Sequence, residues 1–107
     1  MKSMQVADIV SILLSETLGT FFFLTVILTT GQAIPIGIAL AAAITFGSFA
    51  SGAHFNPAVT VMMWLKGDIS SPAMPIYIIA QVIGGMLALV WYNSRPRVAA
   101  SSGSKSF

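Results

Sequence analysis

Between Glu16 and Lys66 the chain carries 49 consecutive residues without a charged side chain, and a helical membrane crossing needs about 20 largely apolar residues. The interval has room for more than one crossing. A first apolar run, from Ala7 or Ile9 to Thr30, predicts a helix of about 22 residues, enough to traverse a hydrocarbon core about 30 Å thick. Gly31 to Pro35 then ends it and turns the chain. Pro35 falls in the first turn of a second helix, where its missing N–H costs nothing. That second run, about residues 34–50, reads "IGIALAAAITFGSF" and is dominated by Gly37, Ala39, Ala41, Ala42, Ala43, Gly47 and Ser48. Small residues let helices approach closely in lipid, so this helix is expected on the inside of the bundle. A third span, about 75–92, carries Ala80, Gly84 and Ala88 at four-residue spacing and ends in Trp91 and Tyr92, a pair suited to the headgroup level.

The pattern breaks at "SGAHFNPAVT", Ser51 to Thr60, where a histidine, an asparagine and a proline interrupt the apolar run. The segment after it, about 57–65, spans only about 12 Å if helical and cannot cross a bilayer. Gly67 stops it, and Asp68, Ser70 and Ser71 offer caps before Pro72 or Pro75. A helix that begins at mid-membrane leaves N–H groups without partners, at several kcal/mol each by hydrocarbon-transfer reasoning. Asn56-Pro57-Ala58 suits such a beginning. Asn56 is a good N-cap, Pro57 is pre-set for the first helical position, and Ala58 lets another backbone come close. The helix start carries about half a positive charge. With its NH2 turned to a cavity, Asn56 holds the oxygen of a neutral molecule while the positive helix end repels cations. Gly52 to Phe55 supply backbone carbonyls as acceptors.

Three further polar residues fall in the same interior. Glu16 lies about eight residues into the first span, and an intramembrane carboxylate is a functional candidate by default. It is placed to accept N–H groups of the irregular loop; Gln81, in the third span, both donates and accepts. Glu16, Gln81 and His54 either satisfy buried polar groups or support a pore loop, and the two roles nearly coincide.

Composition agrees with this reading. The chain of 107 residues is 56% hydrophobic and 7% charged, against about 25% charged for soluble domains. An all-α integral membrane protein follows, with three transmembrane helices and one re-entrant half-helix, residues 1–93 forming one unit. Residues 94–107, "SRPRVAASSGSKSF", read as a disordered polar tail. The absence of cysteine removes disulfides and thiolate metal sites. No basic run with interleaved aromatics points to nucleic acid. An enzyme is not expected: the carboxylates are Asp8, Glu16 and Asp68, the sole histidine is His54, and no nucleophile or metal set accompanies them. No cofactor is expected.

The ten residues of "SGAHFNPAVT", with "SETLGTFF" before and "AQVIGG" after, resemble the aquaporin and glycerol-facilitator family of membrane channels over about residues 6–92. The resemblance implies half of an inverted-repeat fold, in which two half-helices meet at the bilayer midplane. It implies a multi-pass protein of a lipid bilayer, in the cell membrane, that passes water or small neutral polyols such as glycerol, with complete channels assembling as tetramers. Asn56, Pro57 and Ala58 take the place of the pore motif, Gly52, Ala53, His54 and Phe55 that of pore-lining carbonyls, and Glu16 and Gln81 that of loop-bracing residues. Ile36 falls where the family's outer filter takes a side chain from the second helix, often Phe in water channels and Trp in glycerol channels.

The family has two such repeats and this chain matches the first. Val59 stands where, after the second motif, the family places a filter arginine. The expectation is therefore the N-terminal half of a channel, shortened by an incomplete gene, a frameshift or an expression boundary, or two antiparallel copies enclosing one pore. Charge permits the second: Lys2 and Lys66 fall on one side and Arg95, Arg97 and Lys105 on the other, with no positive-inside bias. The alternative is a non-transporting membrane subunit that binds a partner through its close-packing helices.

Overall fold

The computed structural model describes residues 4–96; the tail expected over 94–107 falls largely outside them. Among the described residues the chain is all helical. It comprises α1 (Val6–Thr30), α2 (Ala33–Ser51), the short α3 (Pro57–Lys66) and α4 (Ala73–Ser94). Three of these, α1, α2 and α4, are long and apolar enough to cross a membrane. At 10 residues, α3 extends only about 15 Å.

The helix ends follow local chemistry. Gln5 N–H donates to Asp8 Oδ2 at 2.9 Å, closing the start of α1. Gly31, Gly52 and Gly67 end α1, α2 and α3 with φ of 61°, 85° and 95°, a left-handed backbone that costs a residue with a Cβ about 1–2 kcal/mol. Pro35 and Pro75 both lie inside a first turn, where no intrahelical N–H bond is lost. For this reason α4 starts two residues ahead of Pro75.

The central helix is α1, which packs against both α2 and α4, while α3 packs against α4. This differs from the interior place expected for α2. Its small residues Ala39, Ala43, Gly47 and Ser51 are buried and form one stripe at four-residue spacing, which serves a single neighbour. Its large residues face outward, Phe46 at 77% and Phe49 at 91% exposure. The stripe on α4 is used more completely. Ala80 and Ala88 are fully buried, and a Cβ on Gly84 would come within 2.6 Å of the Thr17 carbonyl oxygen of α1. Small residues here let two backbones touch, the mode of helix association available in lipid.

Candidate functional site

The chain leaves α2 at Ser51 and starts α3 at Pro57, and the intervening Gly52 to Asn56 form an irregular loop. Ala53 and Phe55 both have φ of 54°, so the loop holds two strained residues besides Gly52. What fixes them is Glu16. This side chain is fully buried, and its carboxylate accepts four hydrogen bonds. Oε2 takes the His54 backbone N–H at 2.9 Å and the Ser51 hydroxyl at 2.7 Å; Oε1 takes the Phe55 backbone N–H at 2.7 Å and Gln81 Nε2 at 2.9 Å. A buried carboxylate without such partners would be expelled or neutralised. Four donors from three elements therefore make Glu16 the point on which the loop, α2 and α4 converge.

The N–H groups of Gly52 and Ala53 are also bound within the protein. Gly52 N–H donates to the Ser48 carbonyl at 2.8 Å, and Ala53 N–H to Ser51 Oγ at 3.2 Å. The carbonyls behave oppositely. Those of Gly52, Ala53, His54 and Phe55 accept no hydrogen bond among the described residues. From Gly52 to Phe55 the backbone thus turns its four N–H groups inward and keeps four acceptors in reserve.

Further side chains hold this arrangement. The Ser51 hydroxyl gives its one hydrogen to Glu16, so in the 2.8 Å contact with Ser15 it is Ser15 that donates. Tyr77 Oη donates to the Ser51 carbonyl, and its ring stacks on His54 with centroids 4.3 Å apart and planes inclined by 17°. Thr60, fully buried in α3, lies 2.8 Å from His54 Nδ1 and 2.9 Å from Gln81 Nε2. Phe55 is wedged between α1 and α2, where a Cβ on Gly19 would lie 2.1 Å from its ring and one on Gly47 2.9 Å. Two glycines make the slot, and the phenyl group fills it.

At the start of α3, Asn56 caps the helix by accepting the Ala58 N–H on Oδ1 at 2.8 Å. Asn56, Pro57 and Ala58 are exposed, as is Gly52, whereas Ala53, His54 and Phe55 are buried. With Oδ1 engaged, the Asn56 NH2 remains as an exposed pair of donors. Glu16, Gln81, His54 and the loop therefore form one cluster with Asn56 at its rim. Ile36 does not join it: it is half-buried in the first turn of α2, and 15 residues of helix, roughly 22 Å, separate it from Ser51. Among the described residues no group of His, Asp and Glu is arranged to hold a metal ion.

Ser15, Ser51, Thr60 and Tyr77 belong to the cluster without having been singled out from the sequence. Thr60 sits in an otherwise apolar helix, and only its four-residue offset from Asn56 hints that it faces back toward the loop.

The model of the major intrinsic protein family matches residues 3–100. The glycerol uptake facilitator protein-like 6 of Lactiplantibacillus plantarum is 42% identical over 84 residues, which cover 70% of this chain and 39% of that protein. A probable aquaporin of NIP type from Nicotiana alata is 30% identical over 100 residues, covering 81% of this chain and 37% of the relative. The aquaporin Z of Photorhabdus laumondii is 41% identical over 58 residues, covering 54% and 25%. The chain thus spans well under half the length of these curated relatives. No solved structure matches at comparable significance. With three apolar helices, a half-helix capped by Asn56 and a loop anchored on Glu16, the chain belongs to the major intrinsic protein family of integral membrane proteins.

Proposed function

We propose that this chain forms one half of a membrane channel for passive movement of water and small neutral solutes such as glycerol. The observation that carries the proposal is the polarity of the Gly52–Phe55 loop: four N–H groups are bound inside the protein, while four carbonyls are free among the described residues. Unpaired carbonyls at membrane depth are tolerable only where they meet water or a polar solute. A row of acceptors followed by the exposed Asn56 amide matches what a neutral hydroxyl compound or water needs, donors at one point and acceptors along a line. The start of α3 adds partial positive charge at the same place, which disfavours cations. The names of its relatives, both glycerol facilitators and aquaporins, agree with this solute class.

Asn56, Pro57 and Ala58 are exposed at their helix start, so the pore wall opposite them is supplied by another element. The second half of a longer channel, or an antiparallel second copy of this chain, fits that place. Stopped-flow light scattering on vesicles carrying the chain, with water and then glycerol gradients, tests the reading. Permeability well above empty vesicles supports a channel built from copies of this chain. Correct insertion with permeability no higher than empty vesicles removes the antiparallel-copy version, and favours a half-channel or subunit that needs a partner.

A further inference from the structure

The Thr60 hydroxyl is shared between two side chains, and the direction of its hydrogen bonds follows from counting hydrogens back to Glu16. Gln81 Nε2 lies 2.9 Å from Glu16 Oε1 and 2.9 Å from Thr60 Oγ1. Glu16 Oε1 already accepts the Phe55 N–H, so the Gln81 nitrogen, not its oxygen, faces this acceptor. The amide gives one hydrogen to Glu16 and the other to Thr60. A hydroxyl has a single hydrogen. Having accepted from Gln81, Thr60 must deliver that hydrogen to an acceptor, and among the described residues the remaining partner in reach is His54 Nδ1, at 2.8 Å. A ring carrying a proton on Nδ1 would point N–H at the hydroxyl and leave the Thr60 hydrogen, fully buried, without an acceptor. An unmet buried donor costs about 1–3 kcal/mol.

We infer that Thr60, oriented by Gln81, holds His54 as the Nε2–H tautomer, so that the imidazole presents one fixed donor on its side away from Thr60. The stack on Tyr77 sets the plane of the ring. Nε2 makes no hydrogen bond among the described residues, and it lies 3.6 Å from where a Cβ on Gly52 would stand. Gly52 is exposed and has no side chain, so the approach to Nε2 is left open. Beside the four free carbonyls of the loop, His54 thus adds a donor at the Gly52 end, as Asn56 does at the other. The group it takes is the oxygen of water or of a neutral hydroxyl compound. That use rests on the channel reading above, whereas the tautomer does not. Thr60 is a positioning residue, acting through His54.

His54 is the one histidine of the chain, so nitrogen-15 labelling of histidine rings gives a single pair of ring-nitrogen signals from the full chain in lipid vesicles. The expected spectrum has Nδ1 at the position of an unprotonated ring nitrogen and Nε2 at that of a protonated one, in the wild type and in Thr60→Ser, which keeps the hydroxyl. In Thr60→Val, of similar shape but without the hydroxyl, the two signals move toward the average of exchanging tautomers. A protonated Nδ1 in the wild type overturns the inference, and so does an unchanged spectrum in Thr60→Val. The wild-type spectrum decides the tautomer even where the valine variant does not fold. No readout here involves transport, so impermeable vesicles with the expected spectrum count against a channel built from copies of this chain and leave the tautomer standing.

Discussion

Phe55 and Glu16, 39 residues apart in sequence, are joined by a 2.7 Å hydrogen bond from the Phe55 backbone N–H to Glu16 Oε1. The neighbouring N–H of His54 reaches the other oxygen of the same carboxylate at 2.9 Å. Two consecutive amides can converge on one group because the loop turns left-handed at Ala53 and again at Phe55. The strain of those two residues and the burial of the carboxylate are offset by the same four hydrogen bonds.

The substitution Glu16→Gln keeps size and removes acceptor capacity, leaving the amide NH2 facing two of the four donors. Loss of two such bonds is expected to destabilise the loop by about 2–4 kcal/mol. Amide hydrogen exchange at His54 and Phe55 in vesicles is the direct measurement, with acceleration of roughly thirtyfold or more. Unchanged protection would mean that the loop holds its shape without the carboxylate.

Phe55 and the two glycines it covers offer a test of packing. Gly19→Ala places a methyl group 2.1 Å from the phenyl ring, so the ring must leave its slot. Phe55→Ala alone is expected to cost about 3–5 kcal/mol, the usual range for a buried phenylalanine. In that background Gly19→Ala is expected to add less than about 0.5 kcal/mol, although it is strongly destabilising by itself; such non-additivity marks direct contact. Unfolding in mixed detergent micelles, followed by the fluorescence of Trp64 on α3 and Trp91 on α4, gives the four values. Additive costs would show that the ring does not occupy the slot.

The helix pattern was legible in the chain because it rests on local chemistry: runs of apolar residues, glycines at helix ends, and prolines placed where no N–H is needed. Asn56 as a cap for α3 was legible for the same reason. A lone carboxylate in an apolar span likewise announces that it needs donors. Which donors it finds depends on non-local geometry, and Ser51 and Ser15 look like ordinary small residues until α1 and α2 are brought together. The left-handed turns at Ala53 and Phe55 have no signature, since neither residue type favours them. The place of α2 was legible only in part, because its small residues lie by face: Ala39, Ala43 and Gly47 serve one neighbour within this chain, while Ile38, Phe46 and Phe49 look outward.

Gly84 and Gly37 are both glycines within membrane-crossing helices, and they are expected to respond oppositely to alanine. A Cβ at Gly84 meets the Thr17 carbonyl oxygen at 2.6 Å and Phe21 N at 3.1 Å. These are backbone atoms, so α1 and α4 must separate, with a cost of about 1–3 kcal/mol. Gly37 has nothing within 4 Å of such a carbon, and alanine there is expected to be neutral or to stabilise by up to about 1 kcal/mol through helix propensity. Micelle unfolding midpoints of the two variants make the comparison. Equal effects would argue that α1 and α4 are not in backbone contact.

Asn56 combines two roles that one substitution separates. Its Oδ1 caps α3 through the Ala58 N–H at 2.8 Å, and aspartate caps helices about as well as asparagine. Asn56→Asp therefore keeps the cap, and its negative charge suits the positive helix start. Helix stability is expected to stay within about 0.5 kcal/mol of wild type. The two NH2 donors are lost, however, and an anionic oxygen takes their place. A passing solute oxygen then loses a hydrogen bond of about 1–1.5 kcal/mol at that point, which corresponds to a fall in water permeability of roughly tenfold. Wherever vesicles carrying this chain, alone or with the element that completes the pore, pass water faster than empty ones, light scattering on the variant reads the change. Permeability equal to wild type, with α3 intact by circular dichroism, would show that the Asn56 amide does not face the solute path.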